Sequence, residues 1–195
     1  MRVETPPELH LANVLSELAV AMLTEKSLKA DLERLSRVAC RLIEGCSGAS
    51  ISMLVEGEPS TVAATDRLTL HLDMVQYDNN EGPCVQALGG EMIRIGVVSQ
   101  DERFPHFAAG AADTRVQSVL STPAIDHGTV IGSLNVYSHR QNAFDERAEN
   151  TALVMASEVA HALMKSTIVD TARTTRTGCR NSMTRRCSSR GPKAC

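Results

Sequence analysis

Two apolar segments joined by a tight turn constrain the fold of this chain more than any other feature. The first covers Val116–Thr122 and the second Thr129–Tyr137, and both are rich in valine, isoleucine, leucine and serine. Residues 123–128 between them include proline, aspartate and glycine, which favour turns. Since both segments are apolar at nearly every position rather than alternating, they predict a central hairpin that is covered on both faces.

Three further strands are predicted around this hairpin. Ala49–Val55 and Ser60–Ala64 flank a Glu-Gly-Glu-Pro turn and form a second hairpin, and Met92–Val98 is a separate strand. Helical spacing of apolar residues predicts helices over Leu11–Met22 and Leu28–Leu42. The apolar stripes of these helices either cover the core or form a coiled-coil-like contact with a partner, and the sequence leaves both interpretations open.

The second half of the chain adds shorter helices and one long helix. Pro83 suits the first position of a short helix, and another helical run covers Phe107–Asp113. Asp145 can cap a last helix that runs to about Lys165. Residues 65–80 are apolar without one clear period and receive no assignment. Helices at both ends with mixed elements between them predict an α+β domain with a mostly antiparallel sheet.

The composition excludes some classes of function. Only 3% of the residues are aromatic and none is tryptophan, so aromatic platforms for single-stranded nucleic acid are not expected. We find no apolar run that is long enough to span a membrane. The N-terminal sequence also lacks the plan of a signal peptide. The sequence therefore predicts a cytoplasmic protein with no membrane partner.

Charge divides the chain into an acidic body and a basic tail. Residues 165–195 contain eight lysines or arginines and one aspartate, a net charge of +7, so the rest must carry −10 to reach the total of −3. Past Val169 the tail has almost no large apolar residue and cannot build a core. We therefore predict a flexible N-terminus over residues 1–10, a folded domain over residues 11–164 and a disordered basic tail over residues 165–195.

The sequence lacks the motifs of common catalytic sites. Its six histidines show no HxxxH or HExxH spacing, and no GxSxG or P-loop pattern occurs. The six cysteines form no CxxC pair, so neither a metal site nor, in a cytosolic chain, a disulfide is expected. These observations predict that the chain is not an enzyme, and they identify no cofactor.

Three residues outside the central hairpin are candidates for a ligand site. Cys84 falls in the first turn of the short helix, where exposed amides and the helix dipole lower the pKa of a thiol. No histidine lies near Cys84 in sequence, so a small buried residue is favoured over a reactive or ligand-binding thiol. Phe104 and Phe107 are two of the three phenylalanines in the chain. They either anchor a loop on the core or line a pocket.

Five short motifs occur in order along the chain. They are EGPC at 81–84, DxRFPxF at 101–107, SVLSxP at 118–123, IGSLNVYS at 131–138 and AFD at 143–145. Together they resemble a GAF domain, a family related to PAS domains, and are most similar to the subgroup found in actinobacterial GAF–ANTAR regulators. The resemblance covers roughly Leu11 to Met164.

This resemblance implies a six-stranded antiparallel sheet with the terminal helices packed on one face. Short helices and loops cover the other face, where members of the family bind small molecules, and dimers form through the terminal helices. The subgroup often carries a C-terminal ANTAR module that binds nascent RNA and prevents transcription termination. The resemblance therefore implies a regulatory sensor that binds a small molecule and forms a homodimer.

The tail departs from the pattern of that subgroup. After Met164 the chain lacks the apolar helical spacing that an ANTAR module needs. One interpretation is a basic arm that contacts nucleic acid through phosphates. The other, which we favour, is a frameshifted remnant of a lost ANTAR module. Contact with RNA therefore stays open.

Strand alternation divides the second segment of the central hairpin into two faces. Leu134 and Val136 share one face, which we expect to pack on the terminal helices. The other face is expected to look into a pocket, and the predicted ligand-binding residues are Ser133, Asn135, Tyr137, Cys84, Phe104 and Phe107. Asn135 and Tyr137 could instead satisfy backbone groups of the loops. Thiol chemistry at Cys84 is the less favoured alternative, because GAF domains that reduce methionine sulfoxide rely on several cysteines in the pocket.

Overall fold

The computed structural model describes residues 28–165, and within that range the chain forms helices on both sides of one antiparallel sheet. The helices are α1 (Leu28–Leu42), α2 (Arg67–Asn79), α3 (Pro83–Leu88), α4 (Pro105–Ala111) and α5 (residues 146–165). The strands are β1 (Gly48–Val55), β2 (Glu58–Ala64), β3 (Ile93–Ile95), β4 (Ser118–Asp126) and β5 (Thr129–Ser138). This element order confirms the α+β fold. The helix predicted over Leu11–Met22 lies outside the described residues.

The central hairpin forms the middle of the sheet. The strand order is β2-β1-β5-β4-β3, and all neighbouring strands are antiparallel. The turn consists of His127 and Gly128, both at positive φ, so β4 continues through Pro123 to Asp126 instead of ending at Thr122. Pro123 is tolerated there because the pairing of β4 with β3 reaches only to Ser121. Within residues 28–165 the sheet has five strands, whereas the resemblance implied six.

One apolar core lies between the sheet and the helices α1 and α5. Leu134 and Val136 of β5 belong to it, in agreement with the face that alternation predicts for them. The stripe of α1 contributes Leu32, Leu35 and Ala39, all of which are buried. In this part of the chain the helical stripe therefore covers the core rather than a partner.

A second apolar core lies on the other face of the sheet, under α2 and α4. It lies mainly over the half of the sheet that contains β3 and β4, and Tyr137 is its member from β5. Its buried members are Leu72, Ile93, Ile95, Val98, Phe104, Phe107, Ala111, Val116, Val119 and Tyr137. The remaining positions of β1 and β5 that lie beneath the helices carry mainly serine and asparagine. The face beneath α2, α3 and α4 is called the inner face below.

Helix α2 occupies the segment that the sequence left unassigned. Its N-terminus is capped by Asp66, whose carboxylate accepts a hydrogen bond from the Thr69 backbone N–H at 2.8 Å. Its C-terminus is closed by Asn80 in the left-handed conformation. The side chains that α2 buries are both polar and apolar: Thr69, Leu72, Asp73 and Gln76. Because the buried face is mixed, hydrophobic periodicity could not reveal this helix.

None of the helices between residues 28 and 165 is long and apolar enough to cross a membrane.

Candidate functional site

The inner face of the sheet carries a buried polar cluster, where the small polar side chains of β1 and β5 meet side chains from α2 and α3. We define the polar cluster as Ser50, Ser52, Thr61, Asp73, Gln76, Tyr77, Cys84, Ser133, Asn135 and Tyr137. Strand pairing brings the members from the sheet together, since Ser50 lies opposite Asn135 and Ser52 opposite Ser133. The cluster contains four of the six predicted ligand-binding residues.

Asp73 is the anionic centre of the cluster. One carboxylate oxygen accepts a hydrogen bond from the Tyr137 hydroxyl at 2.5 Å, and the other accepts one from the Thr61 hydroxyl at 2.8 Å. Complete burial raises the pKa of Asp73 to about 6, although these hydrogen bonds oppose the rise. The group therefore titrates much closer to neutral pH than an exposed aspartate does.

Gln76 joins the two helices that cover the cluster. Its side-chain amide donates to the Tyr137 hydroxyl at 3.1 Å, and its amide oxygen accepts from the Cys84 backbone N–H at 2.8 Å. Gly82, just before α3, lies against this side chain at a φ of 138°. A Cβ at residue 82 would lie 2.5 Å from Cγ and Oε1 of Gln76. The glycine of the EGPC motif therefore allows α3 to reach the Gln76 amide.

Cys84 lies in the first turn of α3, as the sequence predicted, but its thiol is completely buried. The thiol donates to the Ser52 hydroxyl at 3.2 Å and accepts from the Asn135 amide at 3.2 Å. Burial and the nearby Asp73 carboxylate raise the pKa of Cys84 to about 12. At neutral pH the thiol is protonated, which supports a buried packing residue rather than a reactive one.

Two polar atoms of the inner face are buried and lack a hydrogen-bond partner: Oδ1 of Asn135 and Oγ of Ser121. Ser121 lies directly opposite Asn135 in the β4–β5 pairing, so both side chains share the inner face. The Asn135 amide nitrogen already donates to Ser50 and Ser52. An unpartnered acceptor and an unpartnered hydroxyl therefore lie side by side beneath α3, and a donor group of a ligand would satisfy both.

Phe104 and Phe107 pack into the second apolar core together with Tyr137. They are 6% and 1% exposed, so they anchor the segment around α4 on the sheet. The guanidinium of Arg103 lies 5.4 Å from the centroid of the Phe104 ring. This geometry favours the loop-anchor interpretation, and ligand contact by either phenylalanine stays a prediction.

The first two sequence motifs meet through Glu81. Its carboxylate accepts hydrogen bonds from the backbone N–H of His106 at 2.7 Å and of Phe107 at 3.3 Å, in the first turn of α4. The His106 ring lies 2.6 Å from the second carboxylate oxygen. These contacts with His106, together with the backbone hydrogen bonds, hold the pKa of Glu81 below its ordinary value. The EGPC glutamate therefore caps and orients the helix that carries the phenylalanines.

The inner face is filled by its own side chains. Beside Tyr137 and Leu72 a narrow cavity of about 10 Å³ remains, which is room for a single water molecule. A wider groove of about 260 Å³ lies elsewhere, on the surface around Glu44 and residues 140–145. No group of three or more histidine, cysteine, aspartate or glutamate residues within 28–165 could hold a metal ion.

Sequence reasoning missed the side chains that α2, β1 and β2 contribute to the cluster. These are Ser50, Ser52, Thr61, Asp73, Gln76 and Tyr77. The available signals were local: an aspartate cap at 66 and an Asp-Asn-Asn stop at 78–80 bracket a helix. Polar residues within such a helix would then have been candidates for a buried face.

A family model described as "GAF domain" matches residues 25–164. The chain belongs to the GAF domain family. No curated protein matches the chain in sequence.

Solved structures share this fold across most of their length. The GAF domain of the Acinetobacter phosphoenolpyruvate-protein phosphotransferase is similar with a TM-score of 0.65 and 17% identity, covering 85% of this chain and 98% of that one. A domain of a sensor histidine kinase protein from Sinorhizobium meliloti has a TM-score of 0.58 and 20% identity, covering 73% and 96%. The free methionine-R-sulfoxide reductase from Neisseria meningitidis, in complex with its substrate, has a TM-score of 0.65 and 16% identity, covering 87% and 97%.

The last of these neighbours corrects a prediction. The prediction that this chain is not an enzyme is wrong as drawn, because free methionine-R-sulfoxide reductases have the same fold. The absence of HExxH, GxSxG and P-loop patterns excludes only the chemistries that those motifs serve. At this level of identity the likeness shows the fold alone.

Proposed function

We propose that this GAF domain is a regulatory sensor that binds a small polar molecule on its inner face. The observation that carries the proposal is the pair of unpartnered buried polar atoms on this face, Oδ1 of Asn135 in the polar cluster and Oγ of Ser121 on the neighbouring strand. Burying such atoms without partners is costly, so a molecule that donates hydrogen bonds to them gains that free energy on binding.

Binding requires the covering side chains to move, because they fill the inner face. Gln76 reaches the sheet from α2 and Cys84 from α3, and the Cys84 N–H donates to the Gln76 amide oxygen at 2.8 Å. A ligand that replaces this contact loosens the packing of α3 on α2, where the contact between the Tyr77 hydroxyl and the Cys84 thiol remains. Ligand binding is thereby coupled to the positions of these helices, which is how a sensor transmits a signal.

The test is a thermal-shift screen of the full chain against amino acids, methionine sulfoxide, cyclic nucleotides and haem. A compound that binds the folded state raises the melting temperature in a saturable way. Asn135→Leu removes the acceptor on the inner face and should abolish the shift. Thr122→Val is the matched control, because Thr122 lies opposite Leu134 on the outer face and its hydroxyl is also unpartnered.

Thr122→Val should keep the full shift and the same dependence on ligand concentration. A shift that survives Asn135→Leu would place binding elsewhere, for instance in the groove near Glu44. If no compound changes the melting temperature, the domain acts as a scaffold rather than a sensor. Consumption of methionine sulfoxide in the presence of dithiothreitol would identify a reductase.

The proposal includes dimerisation through the terminal helices and a role in transcription control in the cytoplasm. Support for dimerisation comes from Leu153 and Val154 of α5, which are 46% and 38% exposed.

The proposed output is antitermination, as in GAF–ANTAR regulators. It rests on the five sequence motifs. DNA sequencing beyond residue 195 would reveal a helix-coding frame if the tail is a remnant.

The basic tail supports a second candidate function, which is binding of nucleic acid. Residues 165–195 carry a net charge of +7, enough to contact several phosphates. Affinity for RNA should then fall steeply with salt and disappear when the chain is truncated after Lys165. Equal affinity of the truncated and full-length chains would eliminate this function for the tail.

A further inference from the structure

Two cysteines outside the polar cluster face each other at the junction of α1 and β1. The Cys46 sulfur lies 2.9 Å from the Cys40 sulfur, and both residues are partly exposed. The sequence did not predict this contact, since the two cysteines are six residues apart and form no CxxC pattern. From this geometry we propose that Cys40 and Cys46 form a reversible disulfide when the protein meets hydrogen peroxide.

The backbone holds the two sulfurs together. Helix α1 ends at Leu42, and Gly45 at a φ of 83° turns the chain back toward the helix. A Cβ at residue 45 would lie 2.7 Å from the Arg140 guanidinium and 3.2 Å from the Ala143 carbonyl oxygen, so the turn needs glycine. The Cys46 N–H then donates to the Ile43 carbonyl at 3.1 Å.

The residue that follows ties the same loop to the sheet. The Ser47 backbone N–H donates to the Tyr137 carbonyl of β5 at 2.8 Å. The Cys46 thiol also lies 3.2 Å from the Gly48 carbonyl oxygen at the start of β1. Because both ends of the loop are hydrogen-bonded, the sulfurs meet without a rearrangement of the backbone.

The two thiols have different roles. The hydrogen bond from Cys46 lowers the pKa of Cys40, although partial burial and the Asp66 carboxylate oppose this effect. The same hydrogen bond, with burial, raises the pKa of Cys46. Cys40 therefore carries the thiolate that attacks, and Cys46 is the neighbouring thiol that completes the bond.

The reaction balances with peroxide as the oxidant. The Cys40 thiolate attacks one oxygen, the O–O bond breaks, and the hydroxide that leaves takes the proton that Cys40 lost. The Cys46 sulfur then attacks the sulfenic sulfur of Cys40, the S–O bond breaks, and the second hydroxide takes the Cys46 proton. Two thiols lose two electrons and two hydrogens, and one peroxide becomes two water molecules. The resulting bond links the end of α1 to the start of the sheet.

Tryptic mapping of the full chain tests this proposal, because a cleavage site lies between the two cysteines. Trypsin cuts after Arg37, Arg41 and Arg67, which separates residues 38–41 from residues 42–67. After one equivalent of peroxide, alkylation in denaturant and digestion without reductant, we expect the two peptides to remain linked. Their mass should be two hydrogens below that of the separate thiol peptides, and dithiothreitol should separate them.

Two cysteine variants make the experiment specific. In Cys46→Ser the linkage should be lost, and dimedone should trap the sulfenic acid on Cys40. In Cys84→Ser the linkage should persist unchanged, because that thiol lies in the polar cluster. The proposal is overturned if both thiols in the wild-type chain are recovered alkylated. It is equally overturned if Cys40 becomes a sulfinic acid, or if the main linkage is to a peptide that contains Cys179, Cys187 or Cys195. These outcomes do not depend on whether the inner face binds a ligand.

Discussion

At the scale of single residues, Gly82 combines an unusual backbone conformation with a close contact. Its φ of 138° disfavours any other residue, and a Cβ there would overlap the Gln76 side chain. We expect Gly82→Ala to lower the free energy of unfolding by about 2–3 kcal/mol, as measured by urea denaturation. Backbone strain at residue 82 and displacement of the Gln76 amide both contribute to this loss of stability.

Gly57 provides the matched control for this substitution. It also has a positive φ, of 90°, but no atom lies within 4 Å of a Cβ built on it. Gly57→Ala should therefore cost only about 1 kcal/mol, from backbone conformation alone. Equal losses in the two variants would contradict the role of the Gln76 contact.

Asp73 makes stability depend on pH in a predictable direction. Its pKa is raised from 3.8 to about 6 in the folded protein, so the folded state holds a proton that the unfolded chain has already released. Below pH 3.8 Asp73 is protonated in both the folded and the unfolded state, so it does not make the free energy of unfolding depend on pH. Between the two values stability falls as pH rises, and the loss reaches roughly 3 kcal/mol above pH 6.

The measurement compares the wild-type chain with Asp73→Asn, by urea denaturation at several pH values between 4 and 7. The difference between the two proteins isolates Asp73, because the other carboxylates are common to both. We expect that difference to change by roughly 3 kcal/mol in favour of the variant as pH rises. A midpoint near pH 4 for the Asp73 carboxyl signal in carbon NMR would contradict this prediction.

At the scale of elements, α2 depends on its N-terminal cap to deliver three side chains to the cluster. The Asp66 carboxylate accepts from the Thr69 N–H at 2.8 Å and from the Thr69 hydroxyl at 2.7 Å. Asp66→Ala should lower the free energy of unfolding by about 1 kcal/mol and weaken amide protection in α2 in hydrogen exchange. Asp66→Asn keeps the acceptor and should retain most of the stability. Similar losses in both variants would show that charge, not capping, is the important factor.

At the scale of the whole molecule, we propose that the exposed side of α5 forms the dimer interface. Leu153→Glu combined with Val154→Glu places two charges on exposed apolar positions, which disfavours an apolar interface. We expect light scattering to show half the mass of the wild-type dimer. Ile125→Glu, at the tip of the central hairpin and 46% exposed in the wild type, should leave the mass unchanged. A wild-type monomer, or a dimer that survives the double substitution, would contradict this interface.

The elements that the sequence predicted correctly are those with regular apolar patterns. Val119, Leu134 and Val136 lie within runs that can only be accommodated inside a sheet covered on both faces, and the structure has them there. The α1 stripe was equally clear, because Leu32, Leu35 and Ala39 repeat at helical spacing. Local periodicity carries this information, since each apolar side chain must leave water wherever the rest of the chain lies.

The composition of the candidate site was settled only by tertiary structure. Asp73 and Gln76 are buried because the Tyr137 hydroxyl of β5 donates to the Asp73 carboxylate and accepts from the Gln76 amide, and no local pattern predicts polar burial. The same is true of Cys40 and Cys46, which meet only because Gly45 reverses the chain toward α1. A buried polar side chain needs a hydrogen-bond partner that comes from a distant segment or is brought close by a turn, so its burial cannot be predicted from its own segment. The hydrophobic pattern of a helix or strand, in contrast, can be recognised within that segment alone.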